Sequence, residues 1–138
     1  KVVNHAETAP AADTGDTPSW LDRLADRLQA YAEGQPDDFR DVAVDLDCFT
    51  RFQQRVLRAC RTIPYGQTVC YADLAARCGS PAAARAVGNV MSNNRLPLIV
   101  PCHRVVGSAG RLGGFSAPGG LAMKRRLLRL EAAHAPCA

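Results

Sequence analysis

Beyond Asp47, acidic residues nearly disappear from this 138-residue chain: only Asp73 and Glu131 stand against thirteen lysines and arginines. Residues 1–47 carry the opposite bias, four basic groups against eleven acidic ones, so the formal +4 hides a −7 segment followed by a +11 segment. A basic surface of that strength attracts a polyanion, and DNA is the obvious one. The chain also lacks any apolar run of about 18 residues or more, which excludes a membrane-spanning helix. Nothing at its start resembles a signal peptide, so the expected setting is the bacterial cytoplasm. Position 1 is Lys rather than Met, and the expectation is that the natural N-terminus lies further upstream. No CxxC pair occurs among Cys48, Cys60, Cys70, Cys78, Cys102 and Cys137, and the three histidines are scattered. A zinc site built from local spacing is therefore not expected. The cysteines sit inside apolar patterns, where free thiols act as small core hydrophobes. With 47% hydrophobic residues, the chain suffices for one compact domain.

Residues 1–17 show no periodicity and predict a disordered leader. Thr17-Pro18 offers a helix start, Trp20, Leu21, Leu24, Leu28 and Tyr31 follow at helical spacing, and Gly34 supplies a stop. Val42, Val44 and Leu46 alternate as a short extended segment would. Thr50-Arg51-Phe52-Gln53 is a capping-box pattern opening a helix with Phe52, Val56, Leu57 and Cys60 on its apolar face. A short helix over about Tyr71–Arg77 follows, then a tight turn at Gly79-Ser80-Pro81 with Ser80 as expected N-cap, then a second helix to about Ser92. Helix, glycine-containing turn, helix is the helix-turn-helix pattern. The second helix is rich in alanine and glycine with one long cation, Arg85, which suits close approach to DNA and equally suits tight packing. Leu98-Ile99-Val100 reads as a buried strand ended by Pro101. Gly107 to Gly120 is a glycine-rich loop. Leu121 to about Ala133 closes the chain as a helix, Met123, Leu127, Leu128 and Leu130 on its apolar side and Lys124, Arg125, Arg126 and Arg129 on the other.

Cys102 differs from the other cysteines because His103 and Arg104 follow it. A cysteine becomes a nucleophile when its thiolate is stabilised and a base removes its proton. In an extended segment His103 would point away from the sulfur, so a bridging water would carry the proton. His103 then needs an acid to fix its tautomer. Glu131 is the better candidate, since capping explains Asp73.

The run Ile99-Val100-Pro101-Cys102-His103-Arg104-Val105-Val106 resembles the active-site strand of the O6-alkylguanine-DNA alkyltransferases, whose signature is Pro-Cys-His-Arg-Val. The likeness extends through Ile63-Pro64-Tyr65-Gly66-Gln67-Thr68, Tyr71, Leu74-Ala75, Ala84-Arg85-Ala86-Val87-Gly88, Asn94, Gly110, Lys124, Leu127-Leu128 and Glu131, about residues 49–131. It implies a mainly α fold with short strands: a helix-turn-helix, winged-helix-like C-terminal domain over 48–138, preceded by a remnant N-terminal helix and linker over 18–47. The implied activity is irreversible transfer of an alkyl group from O6-alkylguanine, with O4-alkylthymine a second candidate, to Cys102 after nucleotide flipping. The implied partner is double-stranded DNA carrying O6-alkylguanine, with no cofactor, no metal, no membrane and a monomeric protein. Cys102 resembles the acceptor, His103 its base through water, and Glu131 the carboxylate orienting His103. Tyr71 resembles the residue that rotates the 3′ phosphate and protonates the leaving guanine at N3, and Asn94 the hinge behind the recognition helix. Arg85 resembles the finger that replaces the extruded nucleotide. Ala84, Gly88, Ser92, Arg95 and Ser108 complete the implied DNA face. The backbone of Cys102 and Val105, with Ser116, Phe115 and Met91, form the implied guanine pocket.

The chain departs from the family at several points. Of the family's longer N-terminal domain, only the final helix and linker, about residues 18–47, are expected here, with a truncated chain and a minimal form as the two alternatives. The zinc ligands of some members have no counterpart, and Arg95 stands where proline is usual. Phe115 stands where tyrosine is common, and the loop is two residues longer around Ala117-Pro118. Rival readings are an alkyltransferase-like protein that binds lesions without repairing them, an alkylation-response regulator, a Cys-His hydrolase and a plain helix-turn-helix regulator. The first replaces the acceptor cysteine, often with tryptophan, whereas Cys102 is intact; the last leaves Pro101–Val106 unexplained.

Overall fold

The computed structural model describes residues 2–3, 19–109, 111–115 and 118–136. Thr17, Pro18, Gly110, Ser116, Ala117 and Cys137, all invoked above, lie outside the described residues, as does the leader apart from Val2–Val3. Those two residues form strand β1, which pairs antiparallel with β2 (Ala43–Val44), Val2 opposite Val44.

Helix α1 spans Trp20–Ala32 and is capped by Ser19, whose hydroxyl accepts the amide of Asp22 at 3.1 Å. The start expected at Thr17-Pro18 is thus displaced, because the hydroxyl that reaches a free first-turn amide belongs to Ser19. Gly34 ends the helix at φ +102, and a side chain there would strike His134 at 2.6 Å, so the glycine both turns the chain and admits the end of the last helix. The apolar stripe of α1 joins a small core of Tyr31, Phe39, Val42, Tyr65 and Ile99, flanked by Leu24, Leu28, Leu127 and Leu130. Arg27 clamps the 37–41 segment to α1 through paired hydrogen bonds to Asp37 and Asp41 at 2.8–2.9 Å.

The larger core lies in the basic module. Helix α2 (Arg51–Cys60) opens with the expected capping box: Thr50 Oγ1 accepts from Gln53 N, and Thr50 N donates to Gln53 Oε1. Its buried Val56, Leu57 and Cys60 meet α3 (Tyr71–Arg77) and α4 (Ala84–Ser92) around Leu74, Ala75, Val87, Val90 and Met91. Helices α3, α4 and the Gly79 turn form the expected helix-turn-helix, but Ser80 does not cap α4. Its carbonyl accepts the amide of Ala83 at 2.9 Å, closing a turn that delays the helix to Ala84, where no side chain caps it.

Two further segments differ from expectation. Leu98–Val100 is a tight turn rather than a strand, with Leu98 at φ +73. Asn94 pins it, accepting from Leu96 N through Oδ1 and donating to Val100 O through Nδ2, both at 3.0 Å. Cys102–Arg104 is one turn of 3-10 helix, not extended chain. Only afterwards does β4 (Val105–Val106) pair, parallel to β3 (Val69–Cys70). Helix α5 spans Gly120–His134, one residue longer at each end than expected. No helix among the described residues is long and apolar enough to cross a membrane.

Leu74 is fully buried where α2, α3 and α4 meet. Leu74→Ala should therefore cost about 3 kcal/mol of stability, measured by urea unfolding, and loosen the helix-turn-helix before the rest of the chain.

Candidate functional site: a buried carboxylate behind a cysteine

The 3-10 turn between Pro101 and Val105 buries three consecutive polar or reactive side chains. Cys102 is 4% exposed, His103 0% and Arg104 1%. They are held from beneath by Glu131, itself 1% exposed. Glu131 Oε2 accepts from His103 Nε2 at 2.6 Å, Tyr31 Oη at 2.6 Å and Arg104 Nη2 at 2.8 Å. Its Oε1 accepts from Arg104 Nε at 2.8 Å and from the amide of Gly66 at 3.1 Å. Arg104 is further tied to Asp38 at 2.9 Å and to the carbonyl of Ile63 at 2.8 Å, and its guanidinium lies over the Tyr65 ring. Asp73, the alternative acid, is exposed at the start of α3, where its amide meets Cys70 Sγ.

These contacts fix protonation states. Burial alone would raise the Glu131 carboxyl, but the hydrogen bonds from His103 and Arg104 outweigh it and hold the pKa at about 2. An ionised carboxylate only accepts, so the His103 proton sits on Nε2 and leaves Nδ1 as the lone-pair nitrogen. Burial lowers the pKa of His103 despite Glu131, so the ring is a neutral base at rest. Its Nδ1 is buried with no hydrogen-bonding partner among the described residues. Burial pushes the Cys102 thiol up, while the Asn94 side chain, the Lys124 ammonium and the amides of Cys102 and His103 pull it down. Cys102 is therefore a protonated thiol that needs a base, with a neutral imidazole next in sequence.

Above the cysteine lies a lining that patterning did not predict. Lys124, placed above on the polar side of α5, is 0% exposed. It donates to the carbonyls of Val105 at 2.7 Å and Gly114 at 3.2 Å, and sits 5.8 Å from the Tyr71 ring centre. Burial brings its pKa down to about 8, a shift that the nearby Cys102 opposes. The correction has a simple origin: Lys124, Leu127, Leu128 and Glu131 are spaced i, i+3, i+4, i+7, so one helix face carries both charges inward. Tyr71 is half-buried, and burial raises its pKa, keeping the hydroxyl protonated. A side chain at Gly113 would collide with the Tyr71 hydroxyl, and φ of +73 would add backbone strain. Val105 and Met91 are buried in the main core, and Phe115 packs against it; Ser116 is outside the described residues.

On the outer side, Arg85 and Ser92 of α4 are exposed, and Ala84 and Gly88 are partly so. A side chain added at Gly88 would meet only the Tyr71 ring at 4.0 Å, so packing within the protein does not require glycine there. Arg95 and Ser108 are exposed. Asn94 joins this face to the site, bonding Val100 O and contributing to Cys102. It also lines a separate cavity of about 300 Å³ beside Leu46, Phe49, Leu57 and Leu96, which does not include Cys102.

Fold and site together define a helix-turn-helix domain built over a buried Cys-His-Glu constellation. The profile of the 6-O-methylguanine DNA methyltransferase DNA-binding domain matches residues 51–133. The methylated-DNA–protein-cysteine methyltransferase of Mycobacterium tuberculosis (strain ATCC 25618 / H37Rv) is 47% identical over 119 residues, covering 86% of this chain and 70% of that protein. The counterpart from Methanothermobacter thermautotrophicus is 37% identical, covering 83% of this chain and 62% of its own. Among solved structures, Mycobacterium tuberculosis OGT in complex with DNA superposes with TM-score 0.71 at 46% identity, over 82% of this chain and 66% of that one. The chain belongs to the 6-O-methylguanine DNA methyltransferase family.

Folding lowers the Glu131 pKa from its ordinary 4.5 to about 2, so between those values the unfolded chain binds more protons. The contribution of Glu131 is complete above about pH 4.5 and is lost as pH falls toward 2, a total of about 3 kcal/mol. Urea unfolding at stepped pH should show this slope. Glu131→Gln should flatten it and cost about 3–5 kcal/mol at neutral pH, because buried Arg104 loses its bidentate carboxylate and keeps only the partly exposed Asp38 as counter-charge among the described residues.

Proposed function

We propose that this chain repairs duplex DNA by transferring the alkyl group of O6-alkylguanine to Cys102 Sγ, once per molecule. The observation that carries the reading is the protonation pattern behind the cysteine: ionised Glu131, neutral His103 with its proton on the Glu131 side, and a buried Nδ1 with no partner among the described residues, in the residue next to the buried thiol of Cys102. A water between Nδ1 and Sγ would take the thiol proton to His103, and Glu131 would stabilise the imidazolium formed. The thiolate then attacks the alkyl carbon in line, the new C–S bond forms as the C–O6 bond breaks, and the electron pair stays on guanine. The proton lost by the thiol ends on the guanine ring, so the sum is thiol plus alkylguanine giving thioether plus guanine. A protonated Tyr71 is suited to deliver that proton at N3. No described group is placed to hydrolyse a thioether, which makes the step terminal.

The reacting carbon lies within the base stack, so the nucleotide must be extruded at a cost of a few kcal/mol. In this reading Arg85 enters the space left behind, and Ala84, Gly88 and Ser92 allow α4 to approach the groove. The +11 module supplies phosphate affinity. Arg95 and Ser108 are proposed as flanking contacts, and Val105, Met91 and Phe115 with Ser116 as the base pocket. A cytoplasmic setting fits the free state of Cys48, Cys60, Cys70, Cys78 and Cys102. The lesion-binding alternative is disfavoured because Cys102 and His103, which the transfer reading needs as acceptor and base, are both present in the sequence.

The test is to incubate the protein with duplex containing O6-methylguanine, digest the DNA and count the remaining modified nucleoside. One lesion should vanish per protein molecule and then the reaction should stop. Cys102→Ala should leave every lesion while still binding DNA, and Arg85→Ala should slow repair by roughly 10–100-fold, reflecting lost support for the flipped state. Binding by the unaltered protein without lesion loss would contradict transfer and favour a lesion sensor.

A further inference from the structure

Glu131 and Tyr31 lie one hundred positions apart in sequence, yet the Tyr31 hydroxyl donates to the same carboxylate oxygen that holds His103, each at 2.6 Å. Tyr31 is 1% exposed, its ring tilted against Phe39 and edge-on to Tyr65, with centroids 6.0 and 5.9 Å away. A phenylalanine would fill that apolar space equally well. The hydroxyl is therefore not explained by packing. A carboxylate oxygen offers about two lone-pair directions, while Oε2 receives Tyr31, His103 and Arg104. Tyr31 thus competes with His103 for the charge that steadies the imidazole.

The other groups facing this pair cannot take that part. Arg104, on the 3-10 turn, is a fixed cation shared with Asp38 of the 35–42 segment. Gly66 contributes a backbone amide to the opposite oxygen, Oε1. Lys124 of α5 acts on His103 and Cys102 only through its field. The Tyr65 hydroxyl is buried nearby with no hydrogen-bonding partner among the described residues. Besides His103 itself, Tyr31 is the neutral side-chain donor to Oε2 among the described residues, and it belongs to α1, outside the 51–133 span matched by the family profile.

We propose that Tyr31 is a positioning residue for alkyl transfer: by donating to Glu131 it weakens the carboxylate's pull on His103 and keeps the imidazole a neutral base. The inference rests on the reading that His103 deprotonates Cys102. Its sign follows from electrostatics. Without the Tyr31 hydroxyl, more of the Glu131 charge is available to His103, the imidazolium is favoured and the pKa of His103 rises. Since only neutral His103 accepts the thiol proton, the acidic limb of the rate profile must move to higher pH.

Two readouts on Tyr31→Phe test this, with Tyr65→Phe as control. In DNA-free protein, nitrogen NMR titration of His103 should show an upward pKa shift of about one unit. The acid limb of single-turnover transfer should rise equally, with the high-pH plateau and DNA affinity within about two-fold of the parent. Tyr65→Phe should move neither. Should Tyr31→Phe fold poorly, 3-fluorotyrosine placed at position 31, a stronger donor, should shift both readouts downward instead. An unmoved His103 titration and acid limb, or a uniform loss of rate at all pH, overturns the role of Tyr31 alone. Absence of transfer by the parent at every pH overturns the alkyl-transfer reading itself.

Discussion

The structure is organised around one buried negative charge. Glu131 has almost no contact with solvent, and five donors from three separate segments converge on it. Taking a carboxylate out of water costs several kcal/mol, and only near-complete hydrogen bonding to an opposite charge offsets that cost. Arg104 provides the charge in bidentate form, and Tyr31, Gly66 and His103 complete the shell. In satisfying Glu131 the protein also gathers α1, the Pro64–Gly66 turn, the 3-10 turn and α5 into one arrangement. The same bonds that stabilise the fold decide where the His103 proton sits.

From that point the rest of the site follows by position. The 3-10 turn swings Cys102 into the main core beneath α4, and Asn94 ties the end of α4 to the turn before the cysteine. Asn94 therefore bridges the helix-turn-helix to the turn that leads into Cys102. Lys124 adds a buried cation that, among the described residues, hydrogen-bonds to backbone carbonyls, over the face of Tyr71. A buried ammonium with no carboxylate beside it favours any anion formed nearby, and the thiolate of Cys102 is such an anion.

Local rules read much of this from the sequence. The capping box at Thr50, the bounds of α3 and the end of α4 involve near neighbours or strong periodicity, while the His103–Glu131 pairing, 28 positions apart, was legible because the basic module holds only two acids. What escaped depended on tertiary contacts. Ser80 has the chemistry of a cap, yet a backbone turn claimed Ala83 first. Leu98–Val100 has strand composition, but the side chain of Asn94 folds it into a loop. Arg104 looked like a cation beside a thiolate, whereas its guanidinium is committed to Glu131 and Asp38. Tyr31 read as the last apolar residue of an amphipathic stripe, and nothing local indicates that its hydroxyl reaches Glu131. Lys124 was legible in principle, since its spacing from Leu127, Leu128 and Glu131 places it on the inward face.

Under the proposed function this network serves one sulfur among six cysteines. Two others, Cys60 and Cys78, are buried in the same core, and Cys48 is exposed, so burial or exposure alone does not select the acceptor. The most direct measurement is peptide mapping by tandem mass spectrometry after reaction with O6-methylguanine duplex. The account predicts a single S-methyl group on Cys102 and unmodified thiols elsewhere. A methyl group on Cys48 or any other cysteine, with Cys102 unmodified, would contradict it.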